Sequence, residues 1–271
     1  MHFQLDQQGD AKRLYEEGVA IARQLSREHP HQIGFANGYA TLLGEYASIL
    51  GLPELTNLGE TAAAERYFRE LVEVRERLSE RDPASVRTRH ELVLHRYQLG
   101  ATLLDSDPKE ALRLARLAQS AVRPGEETIT NTKWHVMRAE FLEARALAAL
   151  GDRDGARRAL ERVRSKKPDA DSTAITALGM ATLAAEIGGA PEALLAEVEK
   201  PREGMPSLRT LRQLAEARAL LARLQPKAAC AHLAAEAVLW KEFLARKGPA
   251  WYAGRRTQSQ CLTPGLASGA R

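Results

Sequence analysis

The sequence predicts an all-α protein built from a series of amphipathic helices. Its 271 residues are rich in alanine, leucine, arginine and glutamate, which are strong helix formers, whereas aromatic residues make up only 5%. A β-sandwich or β-barrel of this length would contain more aromatic and β-branched residues. Proline and glycine recur between segments of helical periodicity, which places turns between successive helices.

Two segments in the first third of the chain repeat one another. Aligning Pro30 with Pro83 matches AKRLYEEGVAIARQLSREHP to AAERYFRELVEVRERLSERDP. Each segment carries apolar or small residues at i, i+4, i+7 and i+14, which form one stripe along a helix. The proline after the last turn cannot continue the helix. Each segment is therefore predicted to be one amphipathic helix.

A third copy, EARALAALGDRDGARRALERVRSKKPD, has the most specific spacing. Small or apolar residues follow Gly151 at +5, +9 and +12, and a proline follows at +17. Ala144 and Ala156 are small enough to let two antiparallel helices approach closely. This pattern resembles the second half of a tetratricopeptide repeat. The resemblance implies a right-handed α-α superhelix, a TPR-like solenoid of about five helix pairs.

The breaks in periodicity predict eleven helices that alternate as first and second members of pairs. Asp107-Pro108 predicts an N-cap followed by proline at the first helical position, and Ala190-Pro191 predicts the same arrangement. Residues 52–59 form a longer hairpin loop, expected at the surface. The predicted helices cover residues 10–28, 33–50, 60–81, 85–104, 108–122, 130–150, 153–166, 172–187, 191–200, 207–223 and 226–247.

The start of the chain is expected to be a truncated repeat. Gly9-Asp10 matches the turn Gly151-Asp152, so residues 1–8 would be the end of a first-position helix. The apolar stripe of the next helix would then be only partly covered. Exposed ends of repeat arrays tend to associate, so self-association through this end is expected. The stripe consists of Leu14, Gly18, Ile21 and Leu25.

The remaining organisation is one helical domain over residues 1–254 and a flexible basic tail over residues 255–271. The net charge is +4, and six basic residues against one acid from Lys241 onward give +5 there, leaving −1 for residues 1–240. Proteins that bind nucleic acids usually carry a basic stripe on the folded surface, so no nucleic acid is expected as a partner. Trp240 is expected in the core of the last helix.

The sequence also argues against membrane and secreted proteins. No apolar run reaches the roughly 18 to 20 residues of a membrane span, and residues 1–13 do not have the pattern of a signal peptide. A cytoplasmic location without membrane contact is expected. Cys230 and Cys261 are too few for a disulfide scaffold, so both are expected to be reduced, with Cys230 buried.

No motif predicts catalysis. His90 and His95 flank a sequence similar to the zinc motif H-E-x-x-H, but one extra residue places them about 140° apart on a helix. Phosphate-binding and nucleophile-elbow motifs are missing. The chain is therefore expected not to be an enzyme, with no catalytic residue, metal or cofactor.

The candidate partner-binding residues are Arg138, Phe141 and Arg145. In tetratricopeptide arrays the first helix of each pair lines the concave face, and the resemblance places these three side chains there. Guanidinium groups match carboxylates in a bidentate geometry, and the aromatic ring adds apolar contact area, which suits an acidic peptide. In the alternative, Phe141 belongs to the core and both arginines pair with Glu140, Glu143 or acids of a neighbouring helix.

Residues 10–166 further resemble the C-terminal repeat regions of bacterial serine/threonine protein kinases. The likeness rests on segments such as RYFRELVEVRERLSERDP and DPKEALRLARLAQSAV. In such kinases the repeats are thought to recruit partners or substrates, but the glycine-rich loop, V-A-I-K, H-R-D and D-F-G motifs are missing here. Two hypotheses result: a non-enzymatic protein-interaction scaffold, or a detached or truncated regulatory arm of a kinase signalling system.

Overall fold

The computed structural model describes residues 8–126, 129–166, 170–246 and 248. Within these ranges the chain forms eleven α-helices, a short 3₁₀-helix (Pro226–Ala228) before the last of them, and no β-strand, which confirms the all-α class. The helices are α1 (Gln8–Glu28), α2 (Ile33–Gly51), α3 (Thr61–Arg81), α4 (Val86–Leu103), α5 (Pro108–Ser120), α6 (Thr130–Ala149), α7 (Arg153–Ser165), α8 (Ala170–Glu186), α9 (Glu192–Glu199), α10 (Leu208–Leu224) and α11 (Ala229–Ala245).

These bounds agree with the predicted ones to within two residues, except that α11 begins after the 3₁₀ turn. The cap at Asp107 is confirmed, because its carboxylate accepts a hydrogen bond from the Glu110 N–H at 3.0 Å, with Pro108 at the first helical position. The carboxylate of Asp152 caps α7 in the same way and accepts from the Gly155 N–H at 2.8 Å. Both caps satisfy an N–H that has no partner within the helix.

The predicted start of α9 is wrong by one residue. Pro191 is the N-cap and not the first helical residue, so it provides no side-chain cap. The expected tail, residues 255–271, and most of the expected N-terminal remnant, residues 1–7, lie outside the described ranges.

Each of the longer helices packs against the next helix along the chain. The closest neighbours include α2 with α3, α4 with α5, α6 with α7, and α10 with α11. Contacts also join alternate helices, because α4 packs against α6, α6 against α8, and α8 against α10. Consequently α4, α6, α8 and α10 lie side by side, although other helices separate them in the sequence.

The interior confirms the predicted close approach of helices. Ala144 and Ala156 are fully buried in one apolar cluster together with Leu160 and Val163. Trp240 is 1% exposed and lies in the core beside α10, as the sequence predicts. Small side chains at these contacts let the helix backbones approach, while larger ones fill the space around them.

Helix α1 packs one of its two apolar stripes against the core and leaves the other exposed. Val19 is 2% exposed and Tyr15 packs against the same core, whereas Leu14 and Ile21 are 58% and 60% exposed. Periodicity alone identifies two candidate stripes on this helix but does not say which one is covered. The exposed leucine and isoleucine fit the expected uncovered face, and self-association through it stays a prediction.

The close contact between α2 and α3 gives a stability prediction. A Cβ atom on Gly51 would lie 2.9 Å from both the Thr61 Cα and the Ala64 Cβ. Because backbone cannot yield as a flexible side chain does, Gly51→Ala is expected to lower the free energy of unfolding by about 1–3 kcal/mol. Urea denaturation of the purified chain measures this change.

A matched control lies in the same helix. A Cβ atom on Gly38 would meet nothing within 4 Å, so Gly38→Ala is expected to stabilise the chain by up to about 1 kcal/mol, since alanine loses less backbone entropy in a helix. Equal effects of the two substitutions would contradict the close packing of α2 on α3.

Candidate functional site

A groove of about 630 Å³ opens along the alternate helices. One face each of α6, α8 and α10 lines it, together with the second half of α4, the end of α2, the loop that joins α2 to α3, and Thr61 at the start of α3. No described residue of α5, α7, α9 or α11 contributes to its lining. Apart from Thr61 of α3, the helical residues that line the groove thus belong to helices that the sequence assigns to the first position of each pair.

The lining residues follow helical spacing. On α6 they include the three predicted residues Arg138, Phe141 and Arg145, at i, i+3 and i+7, so the structure brings all three to one surface. The sequence argument missed the matching faces of the later helices, although the same spacing would have found them. On α8 this face carries Gly179, Thr182 and Glu186, and on α10 it carries Arg209, Gln213, Glu216, Leu220 and Arg223.

The glutamates of α6 point away from the groove. Glu140 pairs with Lys166 at 2.7 Å, and Glu143 pairs with Arg116 at 3.2 Å and with Arg162 at 2.8 Å. The alternative in which these glutamates neutralise the two predicted arginines is therefore wrong. The reason is helical geometry: residues two positions apart lie about 160° apart around the axis, so the acids face α5 and α7.

Four arginines of the groove form no ion pair with a described residue, although the charges of two of them, Arg145 and Arg223, act on the Glu186 carboxylate of α8. Among the described residues, they form neither an ion pair nor a hydrogen bond, whereas pairs such as Arg113 with Glu110 and Arg157 with Asp154 are common on the outer helices. A guanidinium without a protein partner retains its hydrogen-bonding capacity for a ligand. The four are Arg138, Arg145, Arg209 and Arg223.

Arg209 shows the electrostatic character of this surface. Burial lowers the pKa of its guanidinium, the Glu54 carboxylate and the Tyr97 phenol oppose this shift, and the charges of Arg212 and Arg138 lower the pKa further. Its Nε atom is buried and has no hydrogen-bond partner in the described chain. Because arginine stays protonated at neutral pH, this part of the groove favours an anionic ligand.

The groove as a whole has mixed charge. Its lining contains five arginines and four acids, so the unpaired cations are a local feature of α6 and of the ends of α10. The arginines are Arg138, Arg145, Arg209, Arg212 and Arg223, and the acids are Glu54, Asp105, Glu186 and Glu216.

Aromatic residues supply apolar area next to these cations. Phe141 is half-buried. It packs on the core cluster of α6 and α7 and also lines the groove, so it is partly a core residue, as in the alternative, and partly a residue of the candidate binding surface. Its ring would lie 3.3 Å from a Cβ atom on Gly179, which shows how closely α8 approaches α6. Trp134 and Tyr97 line the same groove. Burial, followed by the nearby Glu54 carboxylate, raises the pKa of Tyr97 well above its ordinary value.

A second cavity of about 500 Å³ lies between α2, α3 and α4. Arg75 on its wall is 3% exposed, pairs with Glu91 and donates a hydrogen bond to the Asn37 Oδ1 atom at 2.8 Å. His95 beside it is 7% exposed, and burial together with the charge of Arg75 lowers its pKa to about 3. This cavity therefore contains an internally paired cation and a neutral imidazole.

The two histidines of the apparent zinc motif do not meet. His90 is half-buried and hydrogen-bonds the Thr132 hydroxyl, whereas His95 points into the second cavity. Within the described ranges no group of three or more histidine, cysteine or carboxylate side chains could hold a metal ion. Packing of α2 and α3 against α4 covers His95.

The expectation for Cys230 is also wrong. Its side chain lies on the exposed face of α11, and the cysteine is in a disulfide, not a buried thiol. Cys261 lies outside the described ranges. None of the described helices is both long and apolar enough to cross a membrane.

The comparisons with known proteins gave no match: no protein-family model, no curated protein and no solved structure is detectably similar to the chain.

Proposed function

We propose that the chain is a TPR-like solenoid of about five helix pairs and acts as a non-enzymatic scaffold that binds an acidic segment of a partner protein. The packing of successive helices, with α4, α6, α8 and α10 side by side, supports this architecture. A cytoplasmic location belongs to the same proposal, although the disulfide at Cys230 is unusual for that compartment.

One observation carries the functional proposal. Arg138 and Arg145 flank Phe141 on a single face of α6, that face lines the groove, and neither arginine forms an ion pair with a described residue, although the charge of Arg145 acts on the nearby Glu186 carboxylate of α8. Exposed arginines elsewhere, such as Arg153 and Arg158 on α7, also form no ion pair with a described residue, so the distinguishing feature of this surface is that two such arginines lie beside an aromatic ring in a groove. Such a set binds carboxylates through its guanidinium groups and apolar side chains through its ring.

The mechanism is binding without bond chemistry. The lining side chains project from helices, so their positions are largely set before the partner arrives and little conformational entropy is lost on binding. The groove volume of about 630 Å³ lies within the range typical of ligand pockets. Carboxylates of the partner would pair with the arginines, and its apolar side chains would cover Phe141 and Trp134.

Charge reversal tests this function. The full chain, the groove variant Arg138→Glu/Arg145→Glu and the control variant Arg153→Glu/Arg158→Glu are each used to capture proteins from a lysate of the source cells, and mass spectrometry identifies what is retained. Both control arginines are exposed on α7, outside the groove. We expect the wild type and the control to retain the same partner and the groove variant to retain at least about tenfold less.

Equal retention by the groove variant would contradict the proposal. Circular dichroism of both variants checks that the charge changes have not unfolded the chain.

A further inference from the structure

The loop between α2 and α3, residues 52–60, reaches across the groove to α10. The Arg212 Nη1 atom donates a hydrogen bond to the Leu55 carbonyl oxygen at 3.2 Å, although the two residues are 157 positions apart in the sequence. Pro53 and Glu54 form part of the groove lining. The tip of this loop, residues 53–55, therefore occupies space that a bound partner segment would need.

Hydrogen bonds within the loop and to α2 hold the loop in shape. The Asn57 side-chain amide donates to the Leu52 carbonyl oxygen at 2.8 Å and to the Leu55 carbonyl oxygen at 3.1 Å. Backbone hydrogen bonds also join Leu58 to α2 at 2.9 Å and Glu60 to α2 at 2.9 Å. The bonds to Leu52 and to α2 lie behind the tip, so the base can persist when the tip leaves α10.

Glu54 at the tip presents the chemical group that the groove favours. The charge of its carboxylate raises the pKa of both the Arg209 guanidinium and the buried Tyr97 phenol, yet Glu54 forms no ion pair with Arg209. The following residue, Leu55, is 39% exposed and lines the second cavity. The tip thus places an acidic side chain at the groove and the adjacent aliphatic side chain at the second cavity.

We propose that residues 53–55 are an internal occupant of the groove, and that a partner segment with an acidic residue followed by an aliphatic one displaces them. This inference rests on the proposed function and adds both the partner's sequence chemistry and a means of regulating access. An occupant on the same chain lowers the apparent affinity for the partner in proportion to the fraction of molecules in which the groove is open. Weakening the tip therefore tightens partner binding.

The test uses a fluorescein-labelled peptide with the sequence of residues 51–58, GLPELTNL, and a second peptide with glutamine in place of its glutamate. Fluorescence anisotropy measures their binding to the full chain, to Glu54→Gln and to the control variant Glu80→Gln. Glu80 is an exposed acid on α3 outside the groove.

We expect Glu54→Gln to bind the acidic peptide at least about fivefold more tightly than the wild type, because removal of the internal carboxylate opens the groove. The Glu80→Gln control is expected to match the wild type. The glutamine peptide is expected to bind each chain at least about fivefold more weakly than the acidic one. Adding Arg209→Gln to Glu54→Gln should abolish the gain.

Two results would overturn the inference. If Glu54→Gln binds the acidic peptide no more tightly than the wild type, the loop is a structural clamp on α10 and not an occupant that competes. If no chain binds either peptide, the proposed chemistry of the partner segment is wrong. The proposed function is contradicted by a different result, namely that the Arg138→Glu/Arg145→Glu variant captures as much of the partner from a lysate as the wild type does.

Discussion

Trp240→Ala is expected to lower the free energy of unfolding by about 3–5 kcal/mol, the range for deleting a buried aromatic side chain. The indole is 1% exposed and packs edge-to-face on Phe243, with their ring centroids 5.5 Å apart. Its Nε1 atom also donates a hydrogen bond to the Glu236 carboxylate at 3.1 Å. The substitution would leave a cavity between α10 and α11 and remove a donor from a carboxylate that is 3% exposed.

The same helix supplies the control. Val238 is 65% exposed, so Val238→Ala is expected to change the free energy of unfolding by less than about 0.5 kcal/mol. Urea denaturation followed by circular dichroism measures both variants. A similarly small effect of Trp240→Ala would show that α11 does not share a core with α10.

Stability is expected to fall when the pH is lowered below about 6.5, the ordinary pKa of histidine. Burial lowers the pKa of His95 to about 3 and that of His135 to about 4 in the folded chain. Between the unfolded and folded pKa values, the unfolded chain binds protons that the folded chain does not. Within this window, each unit by which the pH falls therefore lowers the free energy of unfolding by about 1.4 kcal/mol for each fully affected histidine.

For His95 alone, we expect a loss of about 2 kcal/mol between pH 6.5 and pH 4.5. Urea denaturation across this range measures the loss, and His95→Gln isolates it from the titration of carboxylates, because the variant should show a correspondingly smaller slope. His31→Gln, at an exposed position, is the control and should keep the wild-type slope. An equal slope in His95→Gln would mean that the imidazole is hydrated in the folded chain.

Local chemistry explains what the sequence could predict. Helix bounds follow from breakers and caps, which act over a few residues, so Asp107 and Asp152 were identifiable as turn residues. The faces of α6 follow from helical periodicity, so Arg138 and Arg145 could be placed on one surface with Phe141. Within one helix, relative positions need no knowledge of the rest of the fold.

Contacts between segments that are far apart in the sequence could not be predicted from the sequence alone. The loop at Leu55 meets Arg212 only after the intervening helices have stacked, so the expectation of a plain surface loop missed its position across the groove. The burial of His95 likewise depends on α2 and α3. On α1, both the Leu14 stripe and the Val19 stripe have helical spacing, and only packing decides between them.

The most direct test of the binding groove is chemical footprinting of arginine. The chain is treated with phenylglyoxal alone and in complex with its captured partner, and mass spectrometry measures the modification of each arginine. We predict that the complex protects Arg138 and Arg145 while Arg153 and Arg158 on α7 react as they do in the free chain. Unchanged reactivity of Arg138 and Arg145 in the complex, or protection confined to α7, would contradict binding in this groove.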